Sequence, residues 1–242
     1  MAGMAGLVVG AAAMALIGTA GAGSSKAATD PNRAAVEQIV HDYILAHPEI
    51  IPEAMERLQA KQTAQQIDAN RKAIETPFAG AWAGARNGDV TLVEFFDYAC
   101  AFCKASVPDV DRLLAEDKNL KVVFRELPIL GEGSEEAARV SLSAARQNKF
   151  LDFHHKMYAA DRPTAATIAK AQTASGLNDR QVENDGKAKA VQDEIAQNLG
   201  LARSLNLTGT PTFVVGDRML SGAVGYEELK KAIAEARARP KG

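Results

Sequence analysis

The sequence predicts an α/β protein with a long helical stretch between its strands, preceded by a helical arm. Two apolar runs with strand composition, 90–96 and 120–127, flank a segment with helical periodicity. That spacing is typical of a parallel βαβ unit. Mostly helical patterning follows over 135–205, before two short strands and a closing helix. Helical periodicity also precedes the first strand, within 30–75.

The composition excludes several classes of protein. The 242 residues carry 28 Lys and Arg against 30 Asp and Glu, a net charge of −2, with 47% hydrophobic and 24% charged residues. This balance is typical of soluble globular proteins and excludes a disordered chain, a collagen-like repeat and a polytopic membrane protein. A charge so near zero gives no electrostatic basis for binding nucleic acid.

The N-terminus predicts export. Residues 1–25 contain no charged side chain, and an apolar run from Leu7 to Ile17 precedes the small residues Ala20-Gly21-Ala22. This pattern predicts a signal peptide over 1–22, with cleavage as late as about residue 28, although the initial basic residue is missing. The alternative is an uncleaved membrane anchor, for which the run is short. Either way we expect the domain to lie outside the cytoplasm, in the periplasm, where cysteines are readily oxidised.

Residues 30–75 predict a helical arm of two helices that meet near His47-Pro48. Apolar side chains recur at helical spacing in each helix: Val36, Ile39, Val40, Tyr43 and Ile44, then Ile50, Ile51, Ala54, Met55 and Leu58. Beyond Leu58 the helix is polar, and we expect that half to span solvent. The apolar half requires a cover, either the body of the chain or the same segment of another copy. Self-association through 30–75 is the favoured interpretation.

The Gly- and Ala-rich residues 76–89 predict a linker that ends in the turn signal Asn87-Gly88. The domain at 90–238 then begins with the strand 90–96, a helix at 105–114 and the strand 120–127. Mostly helical patterning spans about 134–205, with breaks near Pro163 and Gly176. The expected closing elements are the strands 212–215 and 219–220 and the helix 226–236.

The two cysteines, Cys100 and Cys103, lie where the first strand leads into a helix. A helix N-terminus favours the thiolate, which is the form that attacks disulfides. Cys100 is therefore predicted as the nucleophile that forms a mixed disulfide, and Cys103 as the thiol that resolves it. The alternatives are half of a zinc site, a static disulfide and a chance pair of buried thiols.

No metal site is predicted, because two thiols require further ligands at suitable spacing. The four histidines are His41, His47, His154 and His155, and none has that spacing. The static disulfide is also disfavoured, since so small a ring provides little loop-closure stabilisation. No cofactor is expected.

Residues 93–104 (VEFFDYACAFCK) and 209–216 (GTPTFVVG) resemble the DsbA-like thioredoxin-fold oxidoreductases. The resemblance covers roughly 89–238 and implies a thioredoxin fold with an inserted helical domain. It also implies a cis Pro211 beside the cysteines, with Thr210, Pro211, Phe102 and Ala101 in contact with substrate. A proline has no N–H, and the backbone of Thr210 is then available to pair with an extended substrate strand.

Glu94 matches the family's acidic residue beneath the active site. A carboxyl group buried near Cys103 would have a raised pKa and could move a proton for that thiol. The alternative is an exposed strand glutamate. By contrast, we expect Gln147, Phe150, Phe153 and His154, which match the usual pattern of the insert, to be core residues.

Two positions depart from DsbA itself. The residues between the cysteines are Ala101-Phe102 where DsbA has Pro-His, and Phe102 cannot donate a hydrogen bond to Cys100. Thr210, before the proline, resembles the isomerase-type relatives, and its hydroxyl group is expected near sulfur. Both departures predict a less oxidising couple than in DsbA.

The arm resembles that of ScsC-like members, which carry an oligomerising segment before the thioredoxin domain. The resemblance implies a thiol:disulfide oxidoreductase that acts on cysteine-containing exported proteins and is reset by a membrane redox partner. Oxidase, isomerase and reductase activities all remain open. The alternatives are a Cu(I)-binding or substrate-holding chaperone, since thiolates suit Cu(I), and a structural surface protein in which the cysteines are dispensable.

Overall fold

The computed structural model describes residues 31–239. The signal peptide predicted over 1–22 lies outside the described residues. The described chain divides into two compact units, one ending at Pro52 and the other beginning at Glu53. Among residues 31–239, no helix is long and apolar enough to cross a membrane.

The described helices and strands follow one another along the chain in this order: α1 (Pro31–Ala46), α2 (Ile50–Glu75), β1 (Trp82–Gly84), β2 (Val90–Phe96), α3 (Ala101–Glu116), β3 (Leu120–Glu126), α4 (Glu132–Arg146), α5 (Phe150–Ala159), α6 (Ala165–Ala174), α7 (Asp179–Lys187), α8 (Lys189–Ser204), β4 (Thr212–Val215), β5 (Arg218–Ser221) and α9 (Tyr226–Ala238). The predicted fold class is confirmed: this is an α/β thioredoxin-like fold with a helical insertion, α4–α8, and N-terminal helices. The helix predicted at 105–114 extends over Ala101–Glu116, and it begins directly after Cys100, where the cysteine pair predicts a helix N-terminus.

A five-stranded sheet in the order β1-β3-β2-β4-β5 forms the centre of the second unit. β2 and β3 are parallel, with Val93 opposite Val123, and the other pairs are antiparallel. Successive side chains of a strand point to opposite faces. On β2, Leu92 and Phe96 face the core beneath α3, whereas Val93 and Phe95 face a second core. Both faces of β2 are therefore covered, which explains its uninterrupted apolar sequence.

The polar half of α2 does not span solvent, contrary to the sequence-based expectation. Ile67 and Ile74 are fully buried in the second core, against Val93, Phe95 and other apolar side chains of the sheet and α8. Arg71 donates hydrogen bonds to the Asp217 carboxyl group and to the Gly216 carbonyl oxygen. The sequence pattern does not predict that this half of α2 packs against the sheet, because the contacts described here come from only two isoleucines and one arginine.

Most apolar residues on α1 and the first turns of α2 are exposed, whereas Ile44 and Ile50 are half-buried. The exposed side chains are Val36, Ile39, Val40, Tyr43, Leu45, Ile51, Met55 and Leu58. These side chains, here called the arm surface, are exposed to solvent within each of the two units. Exposed apolar surfaces of this kind are typical of interaction sites.

The predicted linker over 76–89 is not entirely loop. Residues 82–84 form the edge strand β1, which pairs with β3 through Trp82 opposite Val123. The flanking Ala81 is buried. Gly84 has φ +83°, and a Cβ there would lie 2.3 Å from the Leu120 carbonyl oxygen. A three-residue strand that contains Ala83 and Gly84 has little strand propensity, and pairing with β3 determines its conformation.

Candidate functional site

Both cysteines lie at the first turn of α3, and both are free thiols. Cys100 is the N-cap residue of the helix, and its sulfur accepts a hydrogen bond from the Cys103 backbone N–H at 3.4 Å. The Cys100 thiol donates to the carbonyl oxygen of Thr210 at 3.1 Å. The fold therefore brings the two motifs recognised in the sequence into contact across 110 residues.

The two thiols differ in access to solvent. Cys100 has 7% of its surface exposed and Cys103 has none, so Cys100 is the thiol that a partner can reach. Burial raises the pKa of Cys103 well above its ordinary value. The nearby charges of Glu94 and Cys100 raise this pKa further, whereas the backbone N–H of Asp97 lowers it. The geometry thus provides one accessible sulfur and one enclosed sulfur.

The Thr210–Pro211 peptide bond is cis, as the resemblance implies. Pro211 is buried and Thr210 is half-buried beside Cys100. The carbonyl oxygen of Thr210, rather than the expected hydroxyl group, makes the contact with sulfur. Within residues 31–239 the Thr210 N–H has no hydrogen-bond partner. This donor is therefore available next to the thiol.

Glu94 is buried on the face of β2 that lies beneath α3, not exposed. Burial raises its pKa from 4.5 to about 8, and the charge of Asp111 on α3 adds to the effect. A carboxyl group with this pKa exchanges its proton near neutral pH. It lies close enough to Cys103 for its charge to raise the pKa of that thiol.

Ala101 and Phe102, the residues between the cysteines, are exposed on the first turn of α3. Phe102 has 66% of its surface exposed, which is unusual for so large an apolar side chain. Lys104 follows Cys103, and its Nζ donates to the carbonyl oxygen of Ala160 at 2.8 Å. An apolar group therefore projects beside Cys100, while the neighbouring cation contacts the helical insertion.

The insertion also contributes a buried hydrogen-bonded group. The Tyr98 hydroxyl lies 2.9 Å from Ser141 Oγ and 3.3 Å from His154 Nδ1. Burial lowers the pKa of His154 to about 3, so its imidazole is neutral at physiological pH. His154, Phe150 and Phe153 are buried core residues, as expected. Gln147, also expected in the core, is only half-buried, and its side-chain oxygen accepts the Asn178 N–H at 2.8 Å.

Asp97 was missed in the sequence, although a polar residue directly after a buried strand is a recognisable signal. It is buried, and its carboxyl group accepts backbone N–H bonds from Ala99, Ile129 and Leu130. These contacts depend on a loop that is distant in sequence, which residue patterns do not reveal. Elsewhere in residues 31–239, no cluster of three or more His, Cys, Asp or Glu side chains is arranged to hold a metal ion.

A thioredoxin-like sheet, a Cys-x-x-Cys helix N-terminus and an adjacent cis-proline together define a class of thiol-containing proteins. Residues 91–234 match the DSBA-like thioredoxin domain family, and the chain belongs to this family. Residues 32–65 match the N-terminal domain of the copper resistance protein ScsC. The second match covers α1 and most of α2.

Among curated proteins, Na(+)/H(+) antiporter NhaA 3 of Salinispora tropica is 31% identical over 167 residues, 66% of this chain. The match spans only 26% of that protein. Disulfide bond formation protein D of Bacillus subtilis is 25% identical over 165 residues, which cover 62% of this chain and 73% of that protein. The similarity to the antiporter is therefore confined to a part of the larger protein.

Two solved structures illustrate the similarity of fold. A thioredoxin-like oxidoreductase from Silicibacter pomeroyi is 38% identical, with a TM-score of 0.66 over 69% of this chain and 96% of that chain. Proteus mirabilis ScsC in a transitional conformation is 28% identical, with a TM-score of 0.66 over 88% of this chain and 99% of that chain.

Proposed function

We propose that this protein is an exported thiol:disulfide oxidoreductase that forms or rearranges disulfides in periplasmic proteins through Cys100 and Cys103. The observation that carries the proposal is the pair of free thiols at the start of α3, with Cys100 against the carbonyl oxygen of Thr210. Family membership and the similarity to a protein named for disulfide bond formation support it.

In the oxidising direction, a substrate thiolate attacks Cys100 Sγ of the Cys100–Cys103 disulfide. The S–S bond breaks, a mixed disulfide forms at Cys100, and Cys103 leaves with the electron pair and takes up a proton. A second substrate thiolate then attacks the mixed disulfide, which releases the oxidised substrate and leaves both cysteines reduced. A membrane redox partner accepts the two electrons and restores the disulfide.

In the rearranging direction, the reduced protein acts first. The Cys100 thiolate attacks a substrate disulfide, forming a mixed disulfide and releasing one substrate thiolate. Another substrate thiol resolves the intermediate with a new pairing, or Cys103 resolves it and reduces the substrate. Glu94 receives the proton that Cys103 loses, and the Thr210 N–H pairs with the extended substrate backbone beside Pro211.

We also propose that the arm over 30–75 forms a homo-oligomer. The support is the exposed arm surface and the ScsC N-terminal match. Several dithiol sites in one assembly would engage the same substrate repeatedly, which favours rearrangement over simple oxidation. This arrangement supports an isomerase more than an oxidase.

The test is equilibration with glutathione across known redox ratios, with alkylation to trap the Cys100–Cys103 state. We expect reversible exchange, loss of exchange in Cys100→Ser, and accumulation of a mixed disulfide in Cys103→Ser. Full exchange by Cys100→Ser would refute the proposal. The name of the ScsC match gives a second candidate, Cu(I) binding, which predicts stoichiometric binding that disappears when both thiols are blocked.

A further inference from the structure

The carbonyl oxygen of Thr210 accepts a hydrogen bond from the Cys100 thiol at 3.1 Å. Both cysteines are free thiols, so the structure shows the dithiol form of the site. Thr210 is half-buried, and among residues 31–239 no other donor bonds to its carbonyl oxygen. In the dithiol form, the accessible thiol therefore occupies the backbone acceptor that lies next to it.

The backbone N–H of Thr210 differs from its carbonyl group, because it has no hydrogen-bond partner in the described part of the chain. A residue in a hydrogen-bonded antiparallel pair exchanges two bonds with the opposite strand, one through its N–H and one through its C=O. A substrate strand beside Thr210 can form the first bond freely, whereas the second competes with the Cys100 thiol. A carbonyl oxygen has two lone pairs and a thiol is a weak donor, so the thiol weakens the second bond without preventing it.

The competing donor exists only when Cys100 is a thiol. In the Cys100–Cys103 disulfide, and in a mixed disulfide with substrate, the Cys100 sulfur carries no hydrogen. The S–H bond forms when a second substrate thiolate displaces Cys100, which leaves with the electron pair and takes a proton from water. The Thr210 carbonyl oxygen can therefore accept a substrate N–H until the oxidised substrate is formed, and it bonds to the thiol afterwards.

We propose that the Cys100 thiol competes with substrate for the Thr210 carbonyl oxygen, so that the disulfide form binds an extended substrate backbone more tightly than the dithiol form. The inference rests on the proposed function and explains how its product is released. Formation of the product restores the competing donor, and the bound strand loses part of its pairing with Thr210. By linkage, a bound peptide favours the disulfide form by the same factor by which that form favours the peptide.

The experiment measures, by calorimetry, how tightly the whole protein binds a short extended peptide with serine in place of its central cysteine. Mildly acidic buffer keeps a thiol protonated. One neutral hydrogen bond changes an equilibrium by about two- to tenfold. Because a thiol is a weak donor, we expect the dithiol form to bind the peptide about threefold more weakly than the disulfide form. Saturating peptide should shift the glutathione equilibrium about threefold toward the disulfide.

Cys100→Ala and Cys100→Ser form a matched pair of variants, because neither can form the disulfide and they differ by one hydroxyl group. The serine hydroxyl can donate to the Thr210 carbonyl oxygen, whereas alanine has no donor. We expect Cys100→Ala to bind the peptide as tightly as the disulfide form, and Cys100→Ser to bind it about threefold more weakly. Cys103→Ala keeps the Cys100 thiol and should bind like the dithiol form. Circular dichroism checks that each variant is folded.

Equal affinities of the disulfide and dithiol forms, or of the alanine and serine variants at Cys100, would overturn the inference. Binding too weak to measure in every form would overturn it as well, since the competition requires a strand beside Thr210. Both results leave the proposed function intact, provided that the wild-type protein exchanges with glutathione. Failure of that exchange would instead refute the proposed function itself.

Discussion

The Cys100 thiol lies 3.1 Å from the carbonyl oxygen of Thr210, a residue 110 positions later in the chain. This contact places the accessible sulfur beside the cis-proline segment. Within residues 31–239, the Thr210 N–H of that segment has no hydrogen-bond partner. A substrate strand that pairs there would present its own sulfur to Cys100. Thiol exchange at this site therefore depends on the neighbouring residues, which transfer protons, offer apolar surface to a substrate and position the thiols.

The buried Glu94 predicts a distinctive pH dependence of exchange. Because its pKa is about 8, wild-type resolution by Cys103 should accelerate as pH rises through that value and Glu94 becomes a proton acceptor. Glu94→Gln should slow this step by about tenfold or more near neutral pH and remove the inflection. Stopped-flow measurement of thiol exchange from pH 6 to about 9.5 tests this. Equal rates for both proteins across the range would exclude a proton-transfer role.

The raised pKa of the Glu94 carboxyl group also predicts that the stability of the protein depends on pH. Its folded pKa exceeds the ordinary 4.5, so the folded state binds more protons than the unfolded state between these values. The contribution of Glu94 to the free energy of unfolding should therefore fall as pH rises from about 4.5 to 8, by up to about 1.4 kcal/mol per pH unit. Urea unfolding of Glu94→Gln should lack this decline. Identical pH profiles would show that Glu94 is not perturbed.

Phe102 should contribute to protein-substrate binding but not to thiol chemistry. Its exposed side chain can gain roughly 1.5–3 kcal/mol when a bound substrate covers it. Phe102→Ser should therefore raise KM for a reduced, unfolded protein substrate by about tenfold, with exchange of glutathione nearly unchanged. A matched control is Lys104→Ser, on the neighbouring exposed position. Equal KM values for wild type and Phe102→Ser would remove this residue from the binding surface.

Arg125 should be essential for stability, because it is a buried charge with several partners. Its guanidinium donates to Glu194 at 2.7 Å and Asn198 at 3.1 Å, and to the carbonyl oxygens of Ala73, Ile74 and Thr76 at the end of α2. Arg125→Ala should lower the free energy of unfolding by about 3–5 kcal/mol, since Glu194 is left buried and unpaired.

The control for this prediction is Arg237→Ala. Arg237 forms exposed ion pairs with Asp89 and Asp117, which typically contribute less than about 1 kcal/mol. Urea unfolding of both variants makes the comparison. Similar losses of stability in the two proteins would contradict a special role for the buried ion pair.

The arm surface should determine the oligomeric state. Ile39→Asp and Met55→Asp place a charge on this exposed apolar surface and should dissociate the assembly. Gln62→Asp introduces the same side chain at an exposed polar position of α2 and should leave it intact. Sedimentation velocity distinguishes the two results. A monomeric wild-type protein would remove the main support for isomerase activity.

Much of this architecture is local enough to be predicted from sequence. Strand composition at 90–96 and 120–127, the turn signals and the helical periodicities each depend on neighbours within a few residues. The motifs around Cys100 and Pro211 likewise consist of consecutive residues. The short strand 82–84 and the docked half of α2 escaped prediction because pairing with β3 and two buried isoleucines determine them.

The sequence by itself determined the dithiol, the proline segment, the buried glutamate position and the uncovered apolar stripe of the arm. Only the tertiary structure decided that the carbonyl oxygen of Thr210, rather than its hydroxyl group, contacts Cys100. Only the tertiary structure, likewise, shows that Asp97, in the turn before Cys100, bonds to a distant loop and to the helical insertion. The physical reason is the separation along the chain of the residues that make each contact. Periodicity and motifs record contacts along the chain, whereas hydrogen bonds between separate elements depend on how the packed elements meet in space.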